Sequence, residues 1–87
     1  MKEQKIGTVQ HYFDNVSVAA LKIEKGGLKV GDTIHIKGHT TDFTQKVASM
    51  QIEHDKVEEV KKGDDVGIKV KDRVREHDDV FVFKVTS

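Results

Sequence analysis

Thr33-Ile34-His35-Ile36-Lys37 and Val66-Gly67-Ile68-Lys69-Val70 alternate apolar and polar residues. That period of two is what most restricts the fold. It places Ile34 with Ile36, and Val66 with Ile68, on one face of an extended chain, where a helical period would scatter them. The stretches Ile6 to Phe13 and Val16 to Ile23 are rich in β-branched and aromatic residues, and Asp14-Asn15 between them tolerates turn geometry, so they predict a hairpin. Phe43 to His54 carries Val47 on one parity and Met50 and Ile52 on the other. A bulge or sharp bend near Ala48-Ser49 must therefore re-aim the side chains. Val80 to Val85 reads as a final strand, apolar on both faces, and Lys56 to Lys62 as the one short helical turn.

A punctuation pattern separates these stretches. Leu28-Lys29-Val30-Gly31-Asp32-Thr33-Ile34 is matched by Val60-Lys61-Lys62-Gly63-Asp64-Asp65-Val66, and more loosely by Val74-Arg75-Glu76-His77-Asp78-Asp79-Val80. Each is an apolar anchor, a tight turn and a new strand. Gly suits a positive φ, Asp hydrogen-bonds backbone amides as the chain turns, and His77 is among the few other residues enriched at positive φ. With no helix start following, the Gly-Asp pairs read as strand-entry turns and not as phosphate loops. Six strands within 87 residues predict one domain spanning 1–87: a small, closed, six-stranded antiparallel Greek-key barrel, all-β, which removes exposed strand edges by closure. An open sandwich of two three-stranded sheets is the alternative.

Chemistry is sparse. The chain has no cysteine, which excludes disulfides, thiolate metal sites and cysteine nucleophiles. His35 and His39 are four apart, a spacing that converges on a helix but not in a strand running into Gly38, so no metal site is expected. No serine lies in a Gly-x-Ser-x-Gly elbow, and the acidic pairs Glu58-Glu59 and Asp64-Asp65 fall in polar segments. No catalytic residue and no cofactor is expected, and the chain is read as a non-enzyme. There is no apolar run long enough for a signal or a membrane span, which predicts a cytoplasmic protein.

Two features suggest binding. Lys69, Lys71, Arg73 and Arg75 stand at every second position, and a strand continued through them projects four cations from one face at about 6 to 7 Å, near the spacing of backbone phosphates. They are the candidate RNA-binding residues, although 15 cations are offset by 15 acids in the whole chain. Phe81 and Phe83 are the candidate partner-binding residues. With Val80 and Val82 also apolar, one face of the last strand needs a cover, supplied by the N-terminal segment, by the Lys56 to Lys62 turn, by a partner protein or by a second copy of the chain.

Val18-Ala19, Ile23-Glu24-Lys25-Gly26, Leu28-Lys29-Val30-Gly31-Asp32, Ile34-His35-Ile36-Lys37-Gly38 and Gly63-Asp64-Asp65-Val66-Gly67-Ile68 together resemble the β-barrel second domain of translational GTPases such as elongation factor Tu. That resemblance implies a translation-protein barrel, a domain that contacts tRNA or ribosomal RNA and neighbouring domains. Val16 and Leu21 stand where that family usually has glycines. Neither a Gly-x-x-x-x-Gly-Lys-Ser/Thr loop nor an Asn-Lys-x-Asp sequence is present, which excludes GTPase activity from this stretch. Ile6-Gly7-Thr8-Val9 with Tyr12, Phe43-Thr44-Gln45 with Val47 and Met50, and Val70-Lys71-Asp72-Arg73 with Asp78 are similar to the small C-terminal barrel of collagenase-like peptidases, an appendage to a larger catalytic domain. Some members of that family are linked to RNA hydroxylation. The resulting expectation is a non-catalytic, elongation-factor-like module that docks on RNA, a ribonucleoprotein or a protein partner. The alternative is an accessory barrel acting in trans with a collagenase-like peptidase or an RNA-modifying enzyme.

Overall fold

The computed structural model describes residues 2–84, with the side chains of Lys2 and Lys84 left aside. Among the described residues ten strands form, all antiparallel where they pair: β1 (Lys2–Phe13), β2 (Val18–Ile23), β3 (Gly27–Lys29), β4 (Thr33–Lys37), β5 (Asp42–Lys46), β6 (Met50–Ile52), β7 (Asp55–Val57), β8 (Glu59–Lys61), β9 (Asp65–Lys69) and β10 (Asp79–Lys84). The predicted all-β class holds, while the count of six does not. Val85, expected to end the last strand, lies outside the described residues. The expected helical turn at Lys56 to Lys62 is two short strands: β7 pairs with β6, and β8 pairs with β3, placing Val60 opposite Leu28. A single helical turn is too short to sustain itself. As strands, the same residues bury Val60 against the core at 2% exposure.

An eight-stranded sheet runs β5-β4-β10-β1-β2-β9-β6-β7, and β3-β8 form a separate ribbon. The last strand is therefore inserted between the first and the fourth. Twelve residues of β1 serve two neighbours because its register shifts between Lys5 and Gly7 against β10, and again between Val9 and His11 against β2. Those irregularities bend the strand and tighten the curl of the sheet. The break predicted near Ala48-Ser49 is present and spans 47–49: β5 pairs with β4, and β6 beyond the break pairs with β9 and β7. Val47 is the pivot. Its N–H donates to the Asp32 carbonyl at 2.8 Å, its carbonyl accepts from Gly31 N–H at 2.9 Å, and its side chain is buried. Among the described residues the ladder leaves β5 and β7 as ends. Strand β5 reaches across to the exit of β9 through the Gln45 side chain, whose Nε2 donates to the Lys69 carbonyl at 2.9 Å and whose Oε1 accepts from Lys71 N–H at 2.8 Å. Side-chain bridges thus stand where a fully closed ladder was expected.

Inward-facing Ile6, Leu21, Ile23, Ile34, Ile36, Ile68, Val80 and Val82 form the core together with Leu28, Met50 and Val60. The three repeated turns share one construction. Gly31, Gly63 and His77 have φ of 99°, 96° and 74°. The following aspartates each accept from a backbone N–H three residues earlier: Asp32 from Lys29 at 3.0 Å, Asp64 from Lys61 at 2.9 Å and Asp78 from Arg75 at 2.9 Å. The anchors Leu28, Val60 and Val74 are each 2% exposed. A Cβ at Gly31 or Gly63 meets nothing within 4 Å. Gly31→Ala and Gly63→Ala therefore carry only the left-handed backbone penalty, about 1–2 kcal/mol of lost stability. His77→Gly relieves that penalty at the third turn and forfeits about 0.4–1 kcal/mol through the freer unfolded chain. Thermal unfolding is expected to show lower midpoints for the two alanine variants and an unchanged or higher one for His77→Gly. A clear drop for His77→Gly contradicts the equivalence of the three turns.

Candidate functional site

Strand β9 ends at Lys69, so Lys69, Lys71, Arg73 and Arg75 do not share one strand face. Val70 and Val74 explain the ending. Both are buried, at 3% and 2%, and a strand continued with that parity turns Asp72 toward the core between them. Burying an unpaired carboxylate is far costlier than leaving the ladder, and the chain becomes irregular. Lys71 places its Nζ 6.0 Å from the centroid of the Phe43 ring, while Arg73 reaches Asp14 at 3.5 Å. Strand continuation, the premise of a phosphate-tracking row, is absent.

Phe81 and Phe83 lie on a central strand, with β4 on one side and β1 on the other. Val80 and Val82 point inward, and the two aromatics stand half-buried on the outer face. His35 on β4 covers them: its ring is 6.2 Å from Phe83 and nearly parallel at 11°, and 5.9 Å from Phe81 at 38°. Of the covers expected for this strand, the N-terminal segment contributes, because β1 pairs along it and Glu3 of β1 reaches His35. The Glu3 carboxylate lies 2.8 Å from Nδ1, and Asp42 of β5 lies 2.5 Å from Nε2. The His35 side chain is 13% exposed. The hydrogen bond to Asp42 raises its pKa above the ordinary 6.5; burial pulls the other way, and the hydrogen bond and charge of Glu3 add to the rise. Both ring nitrogens thus face carboxylate oxygens of the same chain. Among the described residues no group of three or more His, Asp or Glu side chains is arranged so that it could hold a metal ion. Nor is any helix there long and apolar enough to cross a membrane.

A second surface lies apart from these residues. The tips of the β1–β2 and β6–β7 hairpins enclose an open groove of about 510 Å³ lined by Phe13, Val16, Val18, Gln51, Glu53, His54 and Gly67. Phe13 and Val16 are exposed at 45% and 54%. The turn between β1 and β2 spans 14–17, longer than the Asp14-Asn15 pair alone, and Ser17 closes it at φ 56°. The extra residues lift Val16 away from the core. Across the groove, Ile52 pairs with Asp55, so Glu53 and His54 form a two-residue turn with φ of 50° and 71°. Such turns favour Asn-Gly, and two side-chain-bearing residues there hold backbone strain at the rim. The available signal was the pair of bulky apolar residues flanking a turn.

Comparison with known proteins gives these surfaces a context. The Elongation factor Tu domain 2 profile matches residues 17–82. An uncharacterized protease of Methanocaldococcus jannaschii is 46% identical over 83 residues, which cover 94% of this chain and 20% of the relative. A collagenase of Porphyromonas gingivalis is 39% identical over 79 residues, covering 90% of this chain and 22% of that protein. The chain thus spans about a fifth of the length of these curated relatives. Among solved structures, the C-terminal domain of a Geobacillus thermoleovorans protein named for the U32 peptidases superposes with a TM-score of 0.84 at 18% identity, over 91% of each chain. The selenomethionine variant of that domain gives 0.83 at 19% identity, over 88% of this chain and 96% of the other. The profile covers most of the chain, and the barrel-like architecture agrees with it: this chain belongs to the elongation factor Tu domain 2 family, is similar in sequence to a segment of a collagenase and shares its fold with the C-terminal domain of a U32 peptidase-named protein.

Proposed function

We propose that this barrel is a non-catalytic accessory module that docks on the catalytic portion of a collagenase-like peptidase. The observation that carries the reading is the 46% identity over 94% of this chain to a segment forming only 20% of a protease. In such a relative the barrel is one-fifth of a larger molecule, and the remaining four-fifths is the natural occupant of its exposed apolar surface. The held His35 supports the non-catalytic part, since an imidazole clamped between two carboxylates of its own chain is not turned toward a substrate. The groove at the hairpin tips supports the docking part. Phe13 and Val16 are large, apolar and exposed, while Phe81 and Phe83 are already shielded by His35.

The test uses the Methanocaldococcus jannaschii relative lacking its own matching segment, mixed with the tagged 87-residue chain with and without nuclease treatment. Capture is expected, and the Phe13→Ser/Val16→Ser double variant is expected to weaken it by roughly tenfold to a hundredfold, the loss of one buried aromatic contact and more. Both positions are exposed, so the variant keeps the barrel's thermal midpoint. Failure to capture, or capture abolished by nuclease, overturns the reading. The latter result favours RNA docking through the separate cations.

A further inference from the structure

We propose that Glu3, His35 and Asp42 form a proton-operated latch, which fastens the N-terminal end of β1 and the start of β5 to one ring on β4 and releases one of the two fastenings when the imidazolium loses its proton.

The argument is one of donors and acceptors. An ionised carboxylate only accepts hydrogen bonds, and a neutral imidazole has one N–H. Both ring nitrogens face carboxylate oxygens, at 2.8 and 2.5 Å, so both contacts are satisfied together only by the doubly protonated ring. Deprotonation turns one nitrogen into a lone pair aimed at a negative oxygen, and one fastening is lost. The ring is further held in place by packing beside the Phe83 and Phe81 rings, with centroids 6.2 and 5.9 Å away. Three strands converge on this ring: β1 supplies Glu3, β5 supplies Asp42, and the aromatics belong to β10. The other charged groups on this outer face are Lys5 of β1, Lys37 of β4, Lys46 of β5 and Asp79 of β10. Lys5 is paired with Asp79 at 3.0 Å. Neither carboxylate of the latch has a described lysine or arginine as its ion-pair partner, so His35 is their counter-charge.

The direction of the pH effect follows. The folded chain holds this proton more tightly than the unfolded chain does, so the latch contributes its full stability below pH 6.5 and loses it as pH climbs through the raised value. Nothing in the latch depends on the partner the barrel serves.

Nitrogen-detected NMR of the intact 87-residue chain tests the idea. His35 is expected to carry protons on both ring nitrogens at about pH 5 and to titrate above 6.5, with Asp42→Asn lowering the midpoint more than Glu3→Gln. Amide hydrogen exchange supplies the mechanical readout. In His35→Gln, amides near Glu3 and Asp42 are expected to exchange roughly tenfold faster than in the parent at about pH 5, with the ratio falling toward one at about pH 8. A His35 midpoint at or below 6.5 overturns the proposal, as does an exchange ratio that is the same at both pH values. Should His35→Gln not fold, the titrations of the two carboxylate variants decide alone: midpoints equal to the parent's contradict the latch.

Discussion

Replacing Gly7 by alanine is expected to be the most damaging single substitution considered, although it adds one methyl group. An ideal Cβ there falls 1.9 Å from the Lys22 carbonyl oxygen and 2.9 Å from its carbon, with Ile23 Cα at 3.3 Å. All three are backbone atoms of β2, which cannot rotate aside as a side-chain tip can. Gly7 pairs with Ile23 on one side and with Val80 on the other, at the point where the β1–β10 register shifts. Pushing β2 back by an ångström therefore strains two ladders and opens the packing around Ile6 and Ile23, both essentially fully buried. Overpacking costs about 1–3 kcal/mol and disrupted buried hydrogen bonds a similar amount. A loss of about 3–5 kcal/mol corresponds to a midpoint roughly 15 to 30 °C lower for a domain of this size. Gly67→Ala is the control. Its Cβ meets Val18 Cγ1 at 3.4 Å and Gln51 O at 3.9 Å, ordinary contact distances, and its midpoint is expected to stay or rise slightly. Comparable drops for both variants contradict the close approach at Gly7.

Strand period and turn chemistry made the fold class legible in the sequence, because both are local. Ile34 and Ile36, and Val66 and Ile68, face inward as their alternation requires, and the Gly-Asp repeat fixed three strand entries, His77 included. The short strands β3, β7 and β8 were not legible. Three residues carry too little periodicity, and their pairing is decided by the distant side chains they meet, as Val60 meets Leu28. The misreading at Lys69 to Arg75 has a similar origin. A row of alternating cations looked like a strand face, but Asp72 on the opposite parity, between Val70 and Val74, decided the backbone path. The His35 cluster was invisible for a different reason. Asp42 meets the ring within the β4–β5 hairpin, but Glu3 is 32 residues from His35, and only the sheet order β4-β10-β1 brings it to the same ring.

The second large effect is expected at Asp78, and it separates burial from turn geometry. Asp32, Asp64 and Asp78 make the same backbone hydrogen bond, but Asp78 alone of the three is buried, at 5% exposure. Its turn is also held from outside: the Asp78 carbonyl accepts from Val9 N–H at 2.9 Å, and His77 N–H donates to the Val9 carbonyl at 2.8 Å. Asp78→Ala leaves the Arg75 N–H without its acceptor where water has little access, an expected cost of about 2–3 kcal/mol against about 1 kcal/mol for Asp32→Ala or Asp64→Ala. Asp78→Asn keeps an oxygen in place and is expected to retain most of the stability. Gly38 provides a coupled check. A Cβ added there falls 1.9 Å from Asp78 Oδ1, and the hydrogen bond to Arg75 keeps that carboxylate from swinging away. Gly38→Ala is thus expected to destabilise the parent markedly and the Asp78→Ala variant much less, a coupling of about 1–2 kcal/mol between residues in contact. Chemical denaturation of the four-member cycle measures it. Equal costs for Gly38→Ala in both backgrounds mean that the Asp78 carboxylate does not occupy the space over Gly38 and that its only structural contribution is the bond to Arg75 N–H.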